Sequence, residues 1–252
     1  MNAFTVLVGL GSAMGLWRVW RLAPVRLSGA LLNTALLILL AALLGARIGY
    51  VAANNAYFRA QPFEAFLLWQ GGLSWPGALA GAAVALAAIA PAFTTPSGRR
   101  VPLGWLADRL YPLLPPVAIT AWLGCWQIGA AYGAALPAGD WWGVPSLDET
   151  GAFFPRMPVQ ILAALALLAY FALLELRLRP KRRPGGLSLL AVGGLLLVQL
   201  GASLLRADPA PTWQGLRLDA WFATGSLGLL LMVALINALI PILRRQSISD
   251  HP

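Results

Sequence analysis

The sequence predicts an all-α, polytopic membrane protein with seven transmembrane helices. The first observation is composition: 59% of the 252 residues are hydrophobic and only 11% are charged, whereas soluble domains carry about 25% charged residues. The second is that the apolar residues fall into runs of about 20, the length that crosses the hydrocarbon core as a helix. The third is that basic residues follow alternate runs, as is typical of multi-pass membrane proteins.

Seven apolar runs are long enough to be membrane spans. The fourth run is interrupted by Pro112, Pro115 and Pro116. These prolines predict a kink or a short interfacial piece before the span proper, because a membrane helix tolerates proline where neighbours satisfy the freed carbonyl groups. The predicted spans are about 3–20, 29–55, 72–93, 103–132, 159–178, 187–206 and 221–243.

The basic residues predict the orientation of the chain. Twelve of the 18 Lys and Arg residues follow the odd-numbered spans: Arg18, Arg21, Arg26, Arg99, Arg100, Arg177, Arg179, Lys181, Arg182, Arg183, Arg244 and Arg245. Cytoplasmic loops carry such an excess, so we expect the N-terminus outside and the C-terminus in the cytoplasm. Loops 94–102 and 179–186 are then cytoplasmic, and loops 56–71 and 133–158 are external. We expect one integral membrane domain, residues 1–252, with 133–158 as a small external cap.

Charge and residue usage exclude several classes of function. The net charge of +9 follows the topology, so it indicates contact with anionic lipid head groups and no nucleic-acid partner. A single cysteine, Cys125, excludes an intrachain disulfide and a cysteine metal cluster. The one histidine, His251, lies next to the end of a polar tail. We therefore expect no metal site and no cofactor.

An arginine within the second apolar run is the first candidate functional residue. Arg47, Tyr50 and Asn54 share one face of the predicted helix. An arginine at this depth is retained only where a partner, a cavity or a lipid head group meets it. Two interpretations stay open: Arg47 snorkels or pairs with a buried carbonyl, or it binds an anionic head group inside the bundle.

A glycine-rich polar turn, Gln70-Gly71-Gly72-Leu73-Ser74, precedes the third span. Glycines let a backbone approach a ligand closely, and unpaired amides at a helix start favour anions. Taken alone, the Gly71-Gly72 pair is equally consistent with an ordinary loop. Small residues also line one face of the second span and one of the third, which indicates helix packing: Gly45, Gly49 and Ala53, then Gly77, Gly81 and Ala85.

The stretch from Ala46 to Gly81 resembles the prolipoprotein diacylglyceryl transferases, bacterial enzymes that put a diacylglycerol on a lipoprotein cysteine. The resemblance rests on Arg47, on the Gln-Gly-Gly-Leu-Ser turn and on the glycines after it. In that family the position of Pro76 is a histidine. The resemblance continues in matching order and topology over roughly 40–245.

Later blocks of the resemblance keep some of the family's residues. Those kept at the end of the fourth span are Gly124, Cys125 (a cysteine in some members), Gly129, Tyr132 and Gly133. Those kept before and within the next two spans are Arg156, Pro158, Gln160 and Arg206. By resemblance, the candidate lipid-binding residues are Arg47, Gln70, Ser74, Tyr132, Arg156, Gln160 and Arg206. We expect Arg47, Gln70, Arg156 and Arg206 to converge on a cavity open to the outer leaflet.

Other polar positions of the family are replaced. Two family arginines are Trp122 and Gln199, and a glutamate is Ser203. The family's histidine, serine, tyrosine and glutamate around the start of the fifth span are Met157, Val159, Leu162 and Ala163.

The resemblance implies a reaction, in which a cysteine thiol attacks the glycerol carbon that bears the phosphate of phosphatidylglycerol. It also implies lipoprotein precursors as partners and the bacterial inner (plasma) membrane as the location. The reaction needs help in deprotonating the thiol and cations for the departing phosphate. Pro76 replaces the candidate base, and Trp122 and Gln199 replace two phosphate-facing arginines, so no catalytic residue is assigned here. We expect reduced or lost activity.

Three functional hypotheses follow. The chain is a working transferase with a rearranged site, a non-catalytic relative that binds lipid or serves as a scaffold, or a small transporter. Transporters often show inverted repeats and midplane charges. The chain shows no internal repeat, and its intramembrane charge is sparse.

Overall fold

The computed structural model describes residues 3–68, 71–137, 139–147, 151–177 and 184–249, with side chains up to residue 236. Gln70 and the basic residues at 179–183 lie outside the described residues. The described chain is mostly helical, in this order: α1 Ala3–Leu22, α2 Ser28–Ala53, α3 Asn55–Ala60, α4 Trp75–Ile89, α5 Leu103–Leu110, α6 Leu114–Gln127, α7 Val159–Arg177, α8 Gly186–Leu205 and α9 Leu218–Ser249.

The helices confirm a helical membrane protein. Five segments of the described chain are long and apolar enough to cross a membrane: Ala3–Leu22, Val25–Ala53, Val159–Arg177, Gly186–Leu205 and Leu218–Ile236. They correspond to the first, second, fifth, sixth and seventh predicted spans. The third predicted span is a shorter apolar helix of 15 residues, α4. Seven spans and their orientation stay predictions.

The fourth predicted span is divided, as its prolines indicate. Helix α5 ends at Leu110, a 3-10 turn covers Tyr111–Leu113, and α6 begins at Leu114. Pro112 lies at the start of the 3-10 turn, and Pro115 and Pro116 lie in the first turn of α6. A first-turn proline costs no helical hydrogen bond, because the N–H it lacks would have had no partner there. The prolines therefore start α6 after a break.

Short strands are the feature that an all-α prediction does not contain. In the segment between α6 and α7, β1 Val144–Leu147 pairs antiparallel with β2 Phe153–Arg156, with Pro145 opposite Pro155. Near the start of α9, β3 Thr212–Trp213 pairs with β4 Leu216–Arg217. Proline normally argues against a strand and is tolerated at sheet edges, and both strands of an isolated hairpin are edges. This explains why the sequence pattern did not indicate β1 and β2, whereas β3 and β4 are only two residues long.

Helices α2 and α4 pack backbone against backbone. A Cβ atom at Gly77 would overlap the carbonyl oxygen of Gly45, and one at Gly81 would overlap that of Ala41. Ala41 contacts Gly81 and Gly45 contacts Gly77, so the two helices run antiparallel. The prediction of helix packing is confirmed for Gly45, Gly49, Gly77 and Gly81, whereas Ala53 is exposed. The contact holds the turn before α4 against the last turns of α2.

Two apolar clusters form the core of the described residues. One joins α6, α7 and α8 through residues such as Trp122, Leu167 and Ala191. The other joins α1, α2, α5 and the segment after α4 through Val19, Leu31, Phe93 and Leu106.

Polar side chains also link distant helices. Arg18 of α1 pairs with Glu175 of α7, which also accepts from the Tyr111 hydroxyl at 3.2 Å. Asp108 of α5 accepts from the backbone amides of Gly185 (2.7 Å) and Ser188 (2.8 Å) at the start of α8. These contacts tie the ends of separate helices to one another.

Candidate functional site

Arg47 is buried, and it donates hydrogen bonds to backbone carbonyl groups. Its Nε donates to the carbonyl of Ala65 at 2.8 Å, and its Nη2 donates to that of Glu64. Its Nη1 donates to the carbonyls of Gly71 and Gly72, the latter at 3.2 Å. All three nitrogens of the guanidinium are thus engaged. Of the two interpretations of Arg47, the structure therefore shows pairing with buried carbonyl groups. Binding of a lipid head group stays a prediction, and it would require Arg47 to exchange these carbonyl groups for the head group.

The glycine pair forms the wall around Arg47. Gly71 and Gly72 have φ angles of +90° and +72°, which L-residues with a side chain rarely adopt. A Cβ atom at Gly72 would also overlap the ring of Tyr50. These glycines turn their carbonyl groups towards Arg47. The close backbone approach predicted for a ligand is here an approach to the protein's own arginine.

Two aromatic rings complete the surroundings of Arg47. Its guanidinium lies 5.4 Å from the ring centroid of Phe58 and 5.8 Å from that of Tyr50. The Tyr57 hydroxyl donates to the Glu64 carboxylate, and this hydrogen bond raises the pKa of Tyr57. The described residues from α3 to Gly72 are therefore organised around one cation, and we call them the Arg47 loop (residues 55–68 and 71–72).

Ser74 and Pro76 start helix α4. The amide of Ser74 donates to the carbonyl of Ala46 at 2.9 Å, and its hydroxyl accepts from the amide of Gly77 at 3.4 Å. Ser74 is therefore the N-cap of α4. Pro76 lies in the first turn, where proline is favourable. The position that is a histidine in the family thus serves the helix start in this chain.

Tyr132, Arg156 and Arg206 meet around the segment that follows α6. Gly133 pairs with Arg206, and Ala135 pairs with Arg156, as isolated backbone bridges. The guanidinium of Arg156 lies 4.3 Å from the ring centroid of Tyr132. The structure thus brings together three of the predicted lipid-binding residues.

Gln160 forms a hydrogen bond with the same segment. Its side chain is 1% exposed, and its Nε2 donates to the carbonyl of Ala130 at 2.9 Å. Ala130 precedes Ala131, whose φ of +59° turns the chain away from the axis of α6. Gln160 therefore holds this turn through a backbone contact.

Arg206 belongs to a cluster of two arginines and two aspartates. Its Nε and Nη2 donate to the two carboxylate oxygens of Asp208, and its Nη1 donates to Asp219 at 2.9 Å. Arg217 donates to the carbonyl of Asp208 at 2.6 Å and to the Asp219 carboxylate at 3.2 Å. The hydroxyl of Ser203 also donates to Asp219. We call Arg206, Asp208, Arg217 and Asp219 the outer charge cluster.

The charges of this cluster cancel, and its side chains are only 14–17% exposed. An anionic ligand at Arg206 would have to compete with two internal carboxylates. Sequence reasoning missed Asp208, Arg217 and Asp219. The signal was present as two arginine–aspartate pairs at a spacing of two residues.

Four of the replaced family positions lie in or against the apolar core. Trp122, Val159 and Ala163 belong to one buried cluster with Ala202, and Met157 packs against it. Trp122 is 5% exposed, and its indole N–H has no hydrogen-bond partner among the described residues. The side chains at these positions fill the space with hydrocarbon. Leu162, by contrast, is 46% exposed on the outside of α7.

The structure does not bring all the predicted residues together. Arg47 contacts α3 and the turn at 71–72, and no contact in the described part of the chain joins it to Arg156 or Arg206. Gln70 lies outside the described residues. Convergence on one outer cavity therefore stays a prediction.

Comparison with known proteins identifies the family. The family model for prolipoprotein diacylglyceryl transferase matches residues 1–240. A phosphatidylglycerol–prolipoprotein diacylglyceryl transferase of Nitrosomonas europaea is 34% identical over 173 residues, 65% of this chain and 54% of that protein. The same-named protein of Nitratidesulfovibrio vulgaris strain DP4 is 32% identical over 165 residues, 62% and 57% of the two chains.

A third relative of that name, from Rhodospirillum rubrum, is 30% identical over 174 residues, 67% of this chain and 58% of that protein. The chain spans a little over half the length of these curated relatives. The family model covers nearly the whole chain, and the retained residues recur in the family's order. The chain belongs to the prolipoprotein diacylglyceryl transferase family.

Proposed function

We propose that this chain is a lipid-binding member of the family, in one integral membrane domain, with reduced or lost diacylglyceryl transfer. The relatives' names indicate phosphatidylglycerol and prolipoproteins as the substrates of the reaction. The observation that carries the proposal is the packing of Trp122, Val159 and Ala163 into one apolar cluster. Hydrocarbon occupies positions where the resemblance expects polar groups.

The chemistry of the reaction explains why these replacements matter. The thiol needs a proton acceptor, and proline at 76 offers neither an acceptor nor a donor. The departing glycerol phosphate needs cations, and an indole at 122 supplies one N–H and no charge. Charge-assisted hydrogen bonds are worth roughly 1.5–3 kcal/mol each. Together with the loss of the base, the transition state loses about 5–10 kcal/mol of stabilisation, which corresponds to about four to seven decades in rate.

The retained arginines support the same conclusion. Arg47 donates to four carbonyl groups of its loop, and Arg206 donates to Asp208 and Asp219. Catalytic electrostatics requires donors aimed at the atom where charge develops. A leaving phosphate would first have to displace these internal acceptors, which reduces what the arginines contribute.

The topology is part of the proposal. We propose seven spans in the bacterial inner membrane, with the N-terminus outside and the cap at 133–158 on the outer side. The basic residues on alternate loops support this orientation. Phosphatidylglycerol is the proposed lipid partner, and lipoprotein precursors are the proposed protein partners.

Transfer itself tests the proposal. The purified chain in liposomes with labelled phosphatidylglycerol and a lipobox cysteine peptide should form no thioether at a useful rate, while a full-length relative run in parallel should. Pro76→His alone should rescue little. Pro76→His with Trp122→Arg and Gln199→Arg should rescue more if it still folds, which its thermal transition would show. Robust turnover by the unmodified chain would refute reduced activity.

A further inference from the structure

The arginines of the described chain divide into engaged and unengaged groups. Arg18, Arg47, Arg206 and Arg217 all donate to oxygens of the protein. Four exposed arginines around two neighbouring turns do not: no hydrogen bond or ion pair to the described residues engages the side chains of Arg21, Arg26, Arg99 and Arg100. Unengaged cations gathered in one place are available to an anionic ligand.

One of these arginines, Arg26, lines a pocket between two turns. The turn between α1 and α2 and the turn after α4 form an open pocket of about 350 Å³, lined by Pro24, Val25, Arg26, Leu27, Thr95, Pro96 and Ser97. This volume is at the lower end of the range for small-molecule sites, about 300–1,000 Å³. The pocket is therefore large enough for a small polar group.

The pocket lies at the level of a membrane surface. Ala3–Leu22 and Val25–Ala53 are both apolar enough to span the bilayer, so Pro24 lies where the chain turns back between two spans. The antiparallel contact of α4 with α2 brings the end of α4 to the beginning of α2. The turn at 94–100 therefore lies at the same level. This placement does not depend on which side of the membrane the turns face.

The side chains near this pocket are of the types found where a protein meets the lipid head groups. Val25, at the tip of the first turn, is 91% exposed. The guanidinium of Arg21 lies 5.1 Å from the Trp17 ring centroid, and that of Arg109 lies 5.2 Å from the Trp105 ring centroid. Tryptophan and arginine side chains of this kind are enriched where hydrocarbon meets head groups.

The pocket also offers donors that suit a phosphate. Arg26 supplies a planar guanidinium, which binds phosphate in a bidentate manner. The hydroxyls of Thr95 and Ser97 lie 2.9 Å apart, and the amide of Arg99 donates to the Thr95 hydroxyl. Only one of the two hydroxyl protons is used between them, so the other can be donated to a ligand oxygen. Charge-assisted bonds of this kind are among the stronger hydrogen bonds.

We propose that this pocket binds the phosphate head group of an anionic phospholipid. Arg26 and the Thr95–Ser97 hydroxyl pair contact the phosphate, and Arg21, Arg99 and Arg100 supply the surrounding positive potential. Arg26 precedes α2 and Arg47 lies about 30 Å along the same helix. The site is therefore in the opposite leaflet from the Arg47 loop, and it does not depend on transferase activity.

The test compares lipid retention by the purified full chain. Native mass spectrometry in mixed micelles of phosphatidylglycerol and phosphatidylethanolamine should show selective retention of phosphatidylglycerol. Arg26→Gln with Arg99→Gln and Arg100→Gln should weaken that retention by about 10- to 100-fold, given the usual contribution of a basic residue at an anionic surface. Arg177→Gln, which removes an exposed arginine at the end of α7 that does not line the pocket, should leave retention unchanged.

The hydroxyl variants distinguish a built site from a diffuse basic surface. Thr95→Val and Ser97→Ala preserve the charge, and each should weaken retention several-fold. If only the arginine variant weakens retention, the surface acts by unspecific attraction and the pocket is refuted. Equal weakening by Arg177→Gln would refute it too. A competition experiment compares inorganic phosphate with a soluble short-chain phosphatidylglycerol at the same concentration. If inorganic phosphate displaces the retained lipid equally well, the pocket is a site for free phosphate, and the lipid proposal is refuted.

Discussion

Arg47 illustrates how a buried cation is accommodated with no carboxylate partner among the described residues. Its guanidinium donates to four backbone carbonyls of the Arg47 loop and lies over the ring of Phe58. Carbonyl dipoles and aromatic faces stabilise the charge in place of water. At the residue scale, the same side chain that would bind a head group therefore organises the loop.

Replacing Arg47 should unfold its loop before the rest of the chain. Arg47→Leu leaves carbonyl groups without donors, each worth about 1–3 kcal/mol when buried, so we expect a loss of about 3–5 kcal/mol. Arg47→Lys retains the charge with fewer donors and should be intermediate. Thermal unfolding in detergent and protease cleavage within 61–68 measure the effect. An unchanged transition with Arg47→Leu would show that the carbonyl bonds contribute nothing.

The same variant also tests head-group binding. If Arg47 exchanges its carbonyl partners for a lipid, Arg47→Leu should weaken retention of phosphatidylglycerol more than that of phosphatidylethanolamine, because a charged pairing is lost. Retention measured at a temperature where the variant is still folded separates this effect from unfolding. Equal loss of both lipids would contradict a head-group role.

Asp208 should control the charge of the outer cluster. Asp208→Asn leaves Arg206 and Arg217 with one carboxylate instead of two, and we expect a destabilisation of about 1–3 kcal/mol, below the value for a fully buried pair. The freed positive charge should increase retention of phosphatidylglycerol. Asp140→Asn, in the cap, removes one negative charge without breaking an ion pair to a described residue, and serves as the control. Similar retention by both variants would contradict this role.

At the element scale, glycine decides how α2 and α4 meet. Their backbones touch because Gly45, Gly77 and Gly81 carry no side chain, and each Cβ added there would overlap the opposite helix. Close approach is the usual basis of helix association in membranes, where no hydrophobic driving force acts between helices. This contact positions both the Arg47 loop and the turn at 94–100.

A methyl group in this contact should separate the helices. We expect Gly77→Ala to cost about 1–3 kcal/mol through overpacking. Gly201→Ala, in α8, is the matched control, because nothing lies within 4 Å of a Cβ atom there. Thermal transitions of the two variants in the same detergent provide the comparison. Equal transitions would show that α2 and α4 tolerate a wider separation than the structure has.

At the scale of the whole molecule, Arg47, which donates to backbone carbonyl groups, and the unengaged Arg26 lie near opposite ends of α2. Arg47 is near the end of α2, and Arg26 directly precedes its beginning. The outer charge cluster is electrically neutral, whereas the turns around Arg26 are not. This asymmetry agrees with a positive cytoplasmic side.

Thiol labelling tests the orientation. A cysteine at Lys181, predicted in the cytoplasm, should resist a membrane-impermeant reagent in intact cells, while one at Asp140 in the cap should react. Both should react after detergent treatment, which checks that each is accessible once the membrane is removed. Replacing the native Cys125 by alanine removes background labelling. The reverse pattern would overturn the orientation, and with it the positive-inside argument.

The sequence by itself determined the features that depend on the composition of a short stretch of chain. Hydrophobic runs indicated the helices, prolines at 112, 115 and 116 predicted the break before α6, and ordered motifs indicated the family. The small residues at 45, 77 and 81 predicted a helix contact correctly. The hydrophobic runs, the prolines and the small residues can each be recognised within one segment of the chain, and the bilayer selects spans by their apolar length.

Only the tertiary structure decided which partners the polar residues have. The sequence left two alternatives for Arg47, and the folded loop brings four carbonyl groups to it. It also did not indicate that Trp122 packs with residues of α7 and α8, or that Asp219 pairs with Arg206. A side chain's partner depends on how separate segments approach one another in space, and hydropathy and spacing along one segment carry no such distances.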